Sequence, residues 1–380
     1  MDEPEGKPPH AGKRLTRKDV VRLIEEHGGP EGLDLREADL RQASLSELDL
    51  RGAELSDANL QGAYLSDANL QEATLSDANL QGAYLSDANL QEAHLWRANL
   101  QEAHLSDANL QEATLGGANL HNANLHNANL ERADLSDANL ERADLRIANL
   151  QGAYLSVANL QRAVLFGAKL QRADLSNANL QGAYLSDANL QRADLRQADL
   201  RRACLADASL RDANLEGANW GNYIVGEEIA GDFAPAASAY RALKQWHTEA
   251  GMYDIAGEFH YREMEARRKL AWKERLLPYA LSMYLLRSLY GYGERPVRVI
   301  GWVVAVILGF ALGHWLSGTV SGGFLDTLYY SAVSFTALGY GAWAPEPQGW
   351  AGRFLGVGES LLGVFMMALF LVTFTRKMTR

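Results

Sequence analysis

The chain has a single cysteine, Cys204, which excludes an internal disulfide and is compatible with a reducing compartment. It opens on Met-Asp-Glu-Pro-Glu-Gly, acidic and without an apolar stretch, so no signal peptide is expected and residues 1 to about 200 are expected in the cytoplasm. No nucleophile and base pair, metal-ligand spacing or phosphate-binding loop occurs, which leaves an enzyme as the least supported class. His247, Glu258 and His260 come nearest to a ligand set, but their spacing is explained as well by helix surface and packing. Cofactors are expected to be absent.

Positive charge is scarce where the negative charge is dense. The net charge is -11, and residues 31–140 carry 19 acidic against 5 basic side chains, whereas residues 141–220 carry 9 against 10. The acidic end is the one remote from the apolar C-terminal third, as an anionic leaflet would favour.

From Leu35 to Leu215 a leucine stands at every fifth position, 37 in all, and alanine lies two residues before nearly every one, with Leu48 interrupting that phase. A period of five fits neither the 3.6 of a helix nor the 2 of a strand, and a short fixed period over this length marks a solenoid. Asn59, Asn79, Asn99, Asn119, Asn139, Asn159 and Asn179 form one twenty-residue series, and Asn69, Asn89, Asn109, Asn129, Asn149 and Asn189 belong to another. The consensus Ala-(Asn/Asp)-Leu-x-x resembles that of the pentapeptide-repeat family. The resemblance implies a right-handed quadrilateral β-helix over 31–220, four repeats per coil, with Leu and Ala inward and the two asparagine series as ladders on opposite sides. At about 4.8 Å per coil the rod would be roughly 45 Å long. Rows such as Asp57 with Asp77, and Asp67 with Asp87 and Asp107, make its edges acidic; some acidic rods of this family mimic DNA and bind topoisomerases, whereas the simpler reading is a soluble surface. Tyr64 and Tyr84 share a face position and are expected to stack. Nucleic acid itself is not an expected partner.

Around the repeats, residues 1–30 read as a disordered start, to about residue 13, followed by a capping helix over 16–27 whose Val20, Leu23 and Ile24 cover the open end of the solenoid. Residues 221–275 read as a helical linker: an irregular stretch over 221–234, then a hairpin of 235–251 and 252–277. Tyr240, Leu243 and Trp246 form one apolar stripe of that hairpin; Tyr253, Ala256, Phe259 and Met264 form the other. Residues 276–296 hold an aromatic, apolar helix expected to lie at the membrane surface. A second Gly-Tyr-Gly, at 291–293, is expected to be a turn before Pro296.

The last third, 297–380, contains two runs long enough to cross a bilayer. Residues 299–316 have no Asp, Glu, Lys or Arg, and residues 354–375 are apolar apart from Glu359. Between them, 325–337 is too short to span but long enough for a re-entrant helix, and it leads into residues 336–341, Thr-Ala-Leu-Gly-Tyr-Gly. Irregular backbone at membrane depth persists only where it is buried in protein or lines a water-filled path. This arrangement resembles the pore domain of two-transmembrane potassium channels.

The resemblance implies that the backbone carbonyls of Ala337, Leu338, Gly339 and Tyr340 replace the hydration shell of a permeant K⁺. Thr336 and Gly341 flank them, Tyr329 and Tyr330 back the Tyr340 ring, and Gly339 and Gly341 adopt positive φ. Asp326 suits the positive end of the re-entrant helix. Ala337 stands where the family usually carries a threonine, which weakens the innermost ion site. Val333 and Ala342 replace carboxylates that brace the filter in many relatives. Glu359 is the candidate substitute brace, the alternative being a residue that reaches the headgroups. Gly363 matches the family's hinge glycine, and Phe370 or Phe374 is a candidate apolar gate, lipid contact being the alternative.

One filter segment cannot surround an ion, so a homotetramer is expected. Arg287, Arg295 and Arg298 precede the first run and Arg376, Lys377 and Arg380 follow the second, which puts both termini in the cytoplasm of a prokaryotic cell with the chain multi-pass in its inner, plasma membrane. The expected function is a potassium-selective cation channel with a regulatory or scaffolding solenoid that has a possible cytoplasmic protein partner. The alternatives are a non-selective cation channel and a membrane-tethered interaction protein. With only five residues after Thr375, any cytoplasmic input is expected through the solenoid and the first span.

Overall fold

A leucine at every fifth position faces inward each time only if the backbone turns a corner between repeats, and it does so throughout. In this computed structural model, which describes residues 8–336, 347 and 349–378, the residue two after each leucine has positive φ, as at Asp67 (59°) and Gly82 (62°). The following alanine N–H closes the turn onto the leucine carbonyl, Ala68 N to Leu65 O at 3.1 Å. Positive φ at the third residue of such a turn is the type II geometry. Outside glycine this conformation costs about 1 kcal/mol or more per residue, and the hydrogen bonds between coils offset it. Leu70 N donates to Asn89 O at 2.7 Å, and Asn89 N donates back to Ala68 O at 3.0 Å.

Parallel bridges join the residue before each repeat leucine to the one twenty positions on, from Asp34 with Glu54 to Asp199 with Asn219. Each coil therefore takes twenty residues. Among the described residues these pairings are single-residue bridges rather than extended strands. The leucines and alanines of the repeat are almost all fully buried and form a continuous core, each leucine contributing about 2 kcal/mol of burial.

Both asparagine ladders form. Asn79 Nδ2 donates to Asn59 Oδ1 at 3.4 Å and the series continues to Asn179. The other runs from Asn69 to Asn149 with spacings of 3.0–3.1 Å. Lys169 breaks it before Asn189. Most of these asparagines also accept a backbone N–H two residues on, as Gln61 N to Asn59 Oδ1 at 3.2 Å, so one side chain both fixes the corner and joins the coils. Tyr64 and Tyr84 stack at 5.0 Å, and the column extends to His104 at 4.8 Å.

At the N-terminal end, α1 (Arg17–His27) starts with a reciprocal capping box of Thr16 and Asp19 and stops at Gly28, φ 85°. Arg17 ties it to the solenoid through the carbonyls of Ser44, 3.1 Å, and Ser46, 2.7 Å. Part of the stretch expected to be disordered is ordered: Gly12 N donates to Glu37 O at 2.8 Å and Asp39 N to Lys13 O at 2.9 Å, so residues around Lys13 extend the first coil. The backbone there satisfies the open edge of the solenoid, which a polar composition does not reveal.

The two compact units are Met1–Trp246 and His247–Arg380. The expected linker 221–275 is thus divided. Its first part holds α2 (Gly226–Ala230) and most of α3 (Phe233–Glu249), which close the C-terminal end of the solenoid. Glu227 Oε1 accepts the Ala206 N–H at 2.6 Å, and Trp246 Nε1 donates to Ala213 O at 2.9 Å. Tyr240 and Leu243 are fully buried. At Gly226 a Cβ would come within 2.4 Å of Cys204 Sγ, so only glycine lets α2 approach this closely.

In the second unit, α4 (Tyr253–Lys273) packs on α5 (Leu277–Tyr290). Ala256 and Phe259 are buried as expected, whereas Tyr253 is exposed. A 3-10 turn at Gly291–Gly293 precedes α6 (Pro296–Ser317); then come α7 (Phe324–Thr336) and α8 (Gly349–Met378), and these three helices pack on one another. α6 and α8 are long and apolar enough to cross a membrane.

Candidate functional site

The short helix α7 is held between the two long ones by its polar side chains and by close backbone approach. Its start is capped by Asp326, whose Oδ2 accepts the Gly323 N–H at 2.7 Å, a placement that suits the positive helix end. Ser360 Oγ of α8 donates to Ser334 O at 2.9 Å. At Gly363 a Cβ would lie 1.8 Å from Phe335 O; α8 runs unbroken through this residue, and its lack of a side chain is what admits α7. Val299, Phe335 and Met366 form the buried apolar core of the three helices, with Phe370 packed against it.

Thr336 ends α7, its hydroxyl turned back to Ala332 O at 3.0 Å and Val333 O at 3.1 Å. Ala337, Leu338, Gly339, Tyr340 and Gly341 lie outside the described residues. Tyr330 is buried edge-on against His314 at 5.0 Å, while Tyr329 is about half exposed, so the two tyrosines expected to act together face different surroundings. Phe370 and Phe374 stack at 5.5 Å.

Glu359 has no exposed surface and lies in contact with Ser331 Oγ of α7. Ser331 Oγ also reaches Ile307 O of α6 at 2.9 Å. Behind Glu359 stands His314, likewise fully buried, with Nε2 3.8 Å from Glu359 Oε2 and Nδ1 2.8 Å from Thr319 Oγ1. Sequence reasoning missed His314, Ser331 and Ser360. A histidine within the first apolar run and a glutamate within the second were the available pointer, since two ionisable residues in adjacent spans tend to meet.

A second polar cluster joins α4 to the approach to α6. Glu265, almost fully buried, pairs with Arg287 at 3.0 Å and Arg268 at 3.2 Å and accepts the Tyr292 hydroxyl at 3.0 Å. Burial and the Glu265 carboxylate push the Tyr292 hydroxyl above its ordinary range. Arg298 Nη1 donates to Arg287 O at 2.8 Å, and the Arg295 guanidinium covers the Tyr261 ring at 4.6 Å. The 291–293 stretch is the expected turn, but Tyr292, at φ 58°, is also the peg of this cluster. Of His247, Glu258 and His260, Glu258 pairs with Arg295 at 3.5 Å and His260 lies 3.9 Å from Glu263; among the described residues no group of three metal-ligating side chains occurs.

The family described as pentapeptide repeats matches in segments between residues 34 and 217, and the family described as ion channel matches residues 299–380. Among solved structures, HetL, a pentapeptide repeat protein involved in heterocyst differentiation regulation from the cyanobacterium Nostoc sp. strain PCC 7120, is 38% identical, with 54% of this chain and 96% of that one covered and a TM-score of 0.25. Trypsin-treated QnrB1, a plasmid-mediated fluoroquinolone resistance protein, is 20% identical over 46% of this chain and 91% of its own, with a TM-score of 0.29. Rfr23 from the cyanobacterium Cyanothece 51142 is 28% identical over 36% and 91%, with a TM-score of 0.19. No curated protein matches. Neither family is enzymatic, and the channel match together with two apolar helices indicates a membrane setting. The chain therefore belongs to the pentapeptide-repeat family across residues 34–217 and carries, at 299–380, an ion-channel domain of the two-transmembrane potassium-channel type.

Proposed function

We propose that the chain is one subunit of a homotetrameric, potassium-selective channel that conducts through residues 336–341, with the carbonyls of Ala337, Leu338, Gly339 and Tyr340 as K⁺ ligands. The observation that carries this reading is a helix too short to span, α7, seated between two spanning helices and ending at Thr336, where Leu-Gly-Tyr-Gly is about to begin. The C-terminal end of α7 directs partial negative charge towards the segment that follows, which favours a cation there. Four copies around an axis supply the ring of carbonyls that one copy lacks.

In this reading α8 lines the inner cavity, and the Phe370 and Phe374 stack closes it by dewetting. Glu359 braces the filter through α7, in place of the carboxylates absent at Val333 and Ala342. Both chain ends are cytoplasmic, and the membrane is the plasma membrane. The exposed Leu277, Leu281, Tyr284 and Leu285 of α5 rest on the lipid surface. The solenoid, read as right-handed with four five-residue sides per coil, is a cytoplasmic regulator or scaffold.

The test is cation uptake by liposomes containing the full chain. Uptake of a potassium congener such as rubidium against a potassium gradient, abolished by Gly339→Val, is the expected result; uptake unchanged by that substitution would contradict conduction through 336–341.

A further inference from the structure

His314 of α6 and Glu359 of α8 meet in the interior of a single protomer, so their site is complete without a second chain. Among the described residues, the groups around them are the Ser331 hydroxyl and Tyr330 ring from α7 and Thr319 from the segment after α6. The charges on the same elements are engaged or turned away: Asp326 holds the Gly323 N–H, and Arg353 is exposed.

Counting protons constrains this cluster. Ser331 Oγ contacts both Ile307 O, at 2.9 Å, and Glu359 Oε1. A hydroxyl has one proton and a carbonyl only accepts. Ser331 can give its proton wholly to Ile307 when Glu359 holds a proton and donates to Ser331; with a carboxylate at Glu359 the single Ser331 proton is divided between two acceptors. On the other side, Glu359 Oε2 and His314 Nε2 have no hydrogen-bond partner among the described residues and stand 3.8 Å apart. That is about 0.6 Å beyond hydrogen-bond range, and His314 Nδ1 is already committed to Thr319.

We propose that Glu359 and His314 form one proton-binding unit that positions the pore helix α7, with His314 as its second member. This rests on the channel reading above. With the proton on Glu359, the chain Glu359–Ser331–Ile307 ties α8, α7 and α6 together. When that proton leaves for water as pH rises, or passes to His314 Nε2 to give a carboxylate and an imidazolium, the carboxylate can only accept. Ser331 then divides its one proton between Glu359 and Ile307, and the link to Ile307 is weakened. The pair is a positioning device: it touches no permeant ion and acts through α7.

The test uses the full chain in lipid, by pH-stepped infrared difference spectroscopy and single-channel recording on the same preparation. The wild type is expected to show the carbonyl stretch of a protonated carboxyl that vanishes as pH rises, with a step in open probability over the same pH range. Glu359→Gln, whose amide donates to Ser331 at every pH, is expected to lack both the band and the step. His314→Asn is expected to keep the band and shift its titration. A wild type without the band, or a band that persists in Glu359→Gln, would overturn the proposal. A titrating band with an open probability indifferent to pH would overturn the positioning role. The expected band behaviour without current in any variant would uphold the proton-binding pair and count against the channel reading.

Discussion

Gly358 and Gly363 lie five residues apart on α8, yet the protomer treats them differently. A Cβ at Gly363 would meet the Phe335 carbonyl, whereas nothing lies within 4 Å of one at Gly358. Gly363→Ala is expected to lower stability by about 1–3 kcal/mol, the usual cost of overpacking, read as a lower melting temperature of the solubilised protein. Gly358→Ala is expected to be neutral or slightly stabilising, because alanine is the better helix former by about 1 kcal/mol. Equal effects at both sites would contradict the close approach of α7. Glu227 provides a pH test outside the membrane domain. Burial raises its carboxyl above the ordinary 4.5, only partly offset by the Ala206 N–H. A raised folded value for an acid means that its contribution is fully present below 4.5 and lost as pH rises through the folded value. The solenoid is therefore expected to melt higher at pH 4.5 than at neutral pH, and Glu227→Gln to flatten that slope. The Asp and Arg pairs act in a lower window, since Arg41 holds Asp39 down to about 2. At this scale the sequence displayed Glu359 as an anomaly but not its partner, because which face of α6 meets α8 depends on packing that periodicity alone does not encode.

The elements were legible wherever their period was long and strict. The five-residue phase announced the coil and both asparagine ladders, and the apolar runs announced α6, α7 and α8. The pieces that were misread, residues around Lys13 and the 221–234 stretch, are both solenoid ends, where local sequence is short and irregular and its conformation is dictated by the edge it covers. The candidate site was legible up to Thr336 and in the positions of Glu359 and Gly363; the polar links from Ser331 and Ser360 were not, because serine in a helix has no pattern of its own. At the other end of α6, Glu265 is the buried anion that holds Arg268, Arg287 and Tyr292 together. Removing one partner of a buried charge cluster leaves the others uncompensated, at about 3–5 kcal/mol. Glu265→Ala is expected to loosen α5 from α4, seen as faster amide exchange in α5, with Glu265→Gln intermediate. Unchanged exchange would mean that the apolar contacts of Met283 with Tyr261 and Tyr292 suffice.

For the whole molecule, the fusion itself poses the question of what a long repeat region contributes to an ion-channel domain. In the channel reading, any influence of the solenoid reaches α6 through α4 and the Glu265 cluster. Replacing residues 31–220 by a flexible linker is then expected to change open probability without changing selectivity; an unchanged open probability would leave the solenoid as a scaffold. The central claim is that residues 336–341 form a potassium-selective pathway despite Ala337. The measurement that tests it most directly is the reversal potential of the purified protein in planar bilayers, with potassium on one side and sodium on the other. The account predicts a value near the potassium equilibrium potential. A reversal near zero with current present would contradict it and establish a non-selective cation pore.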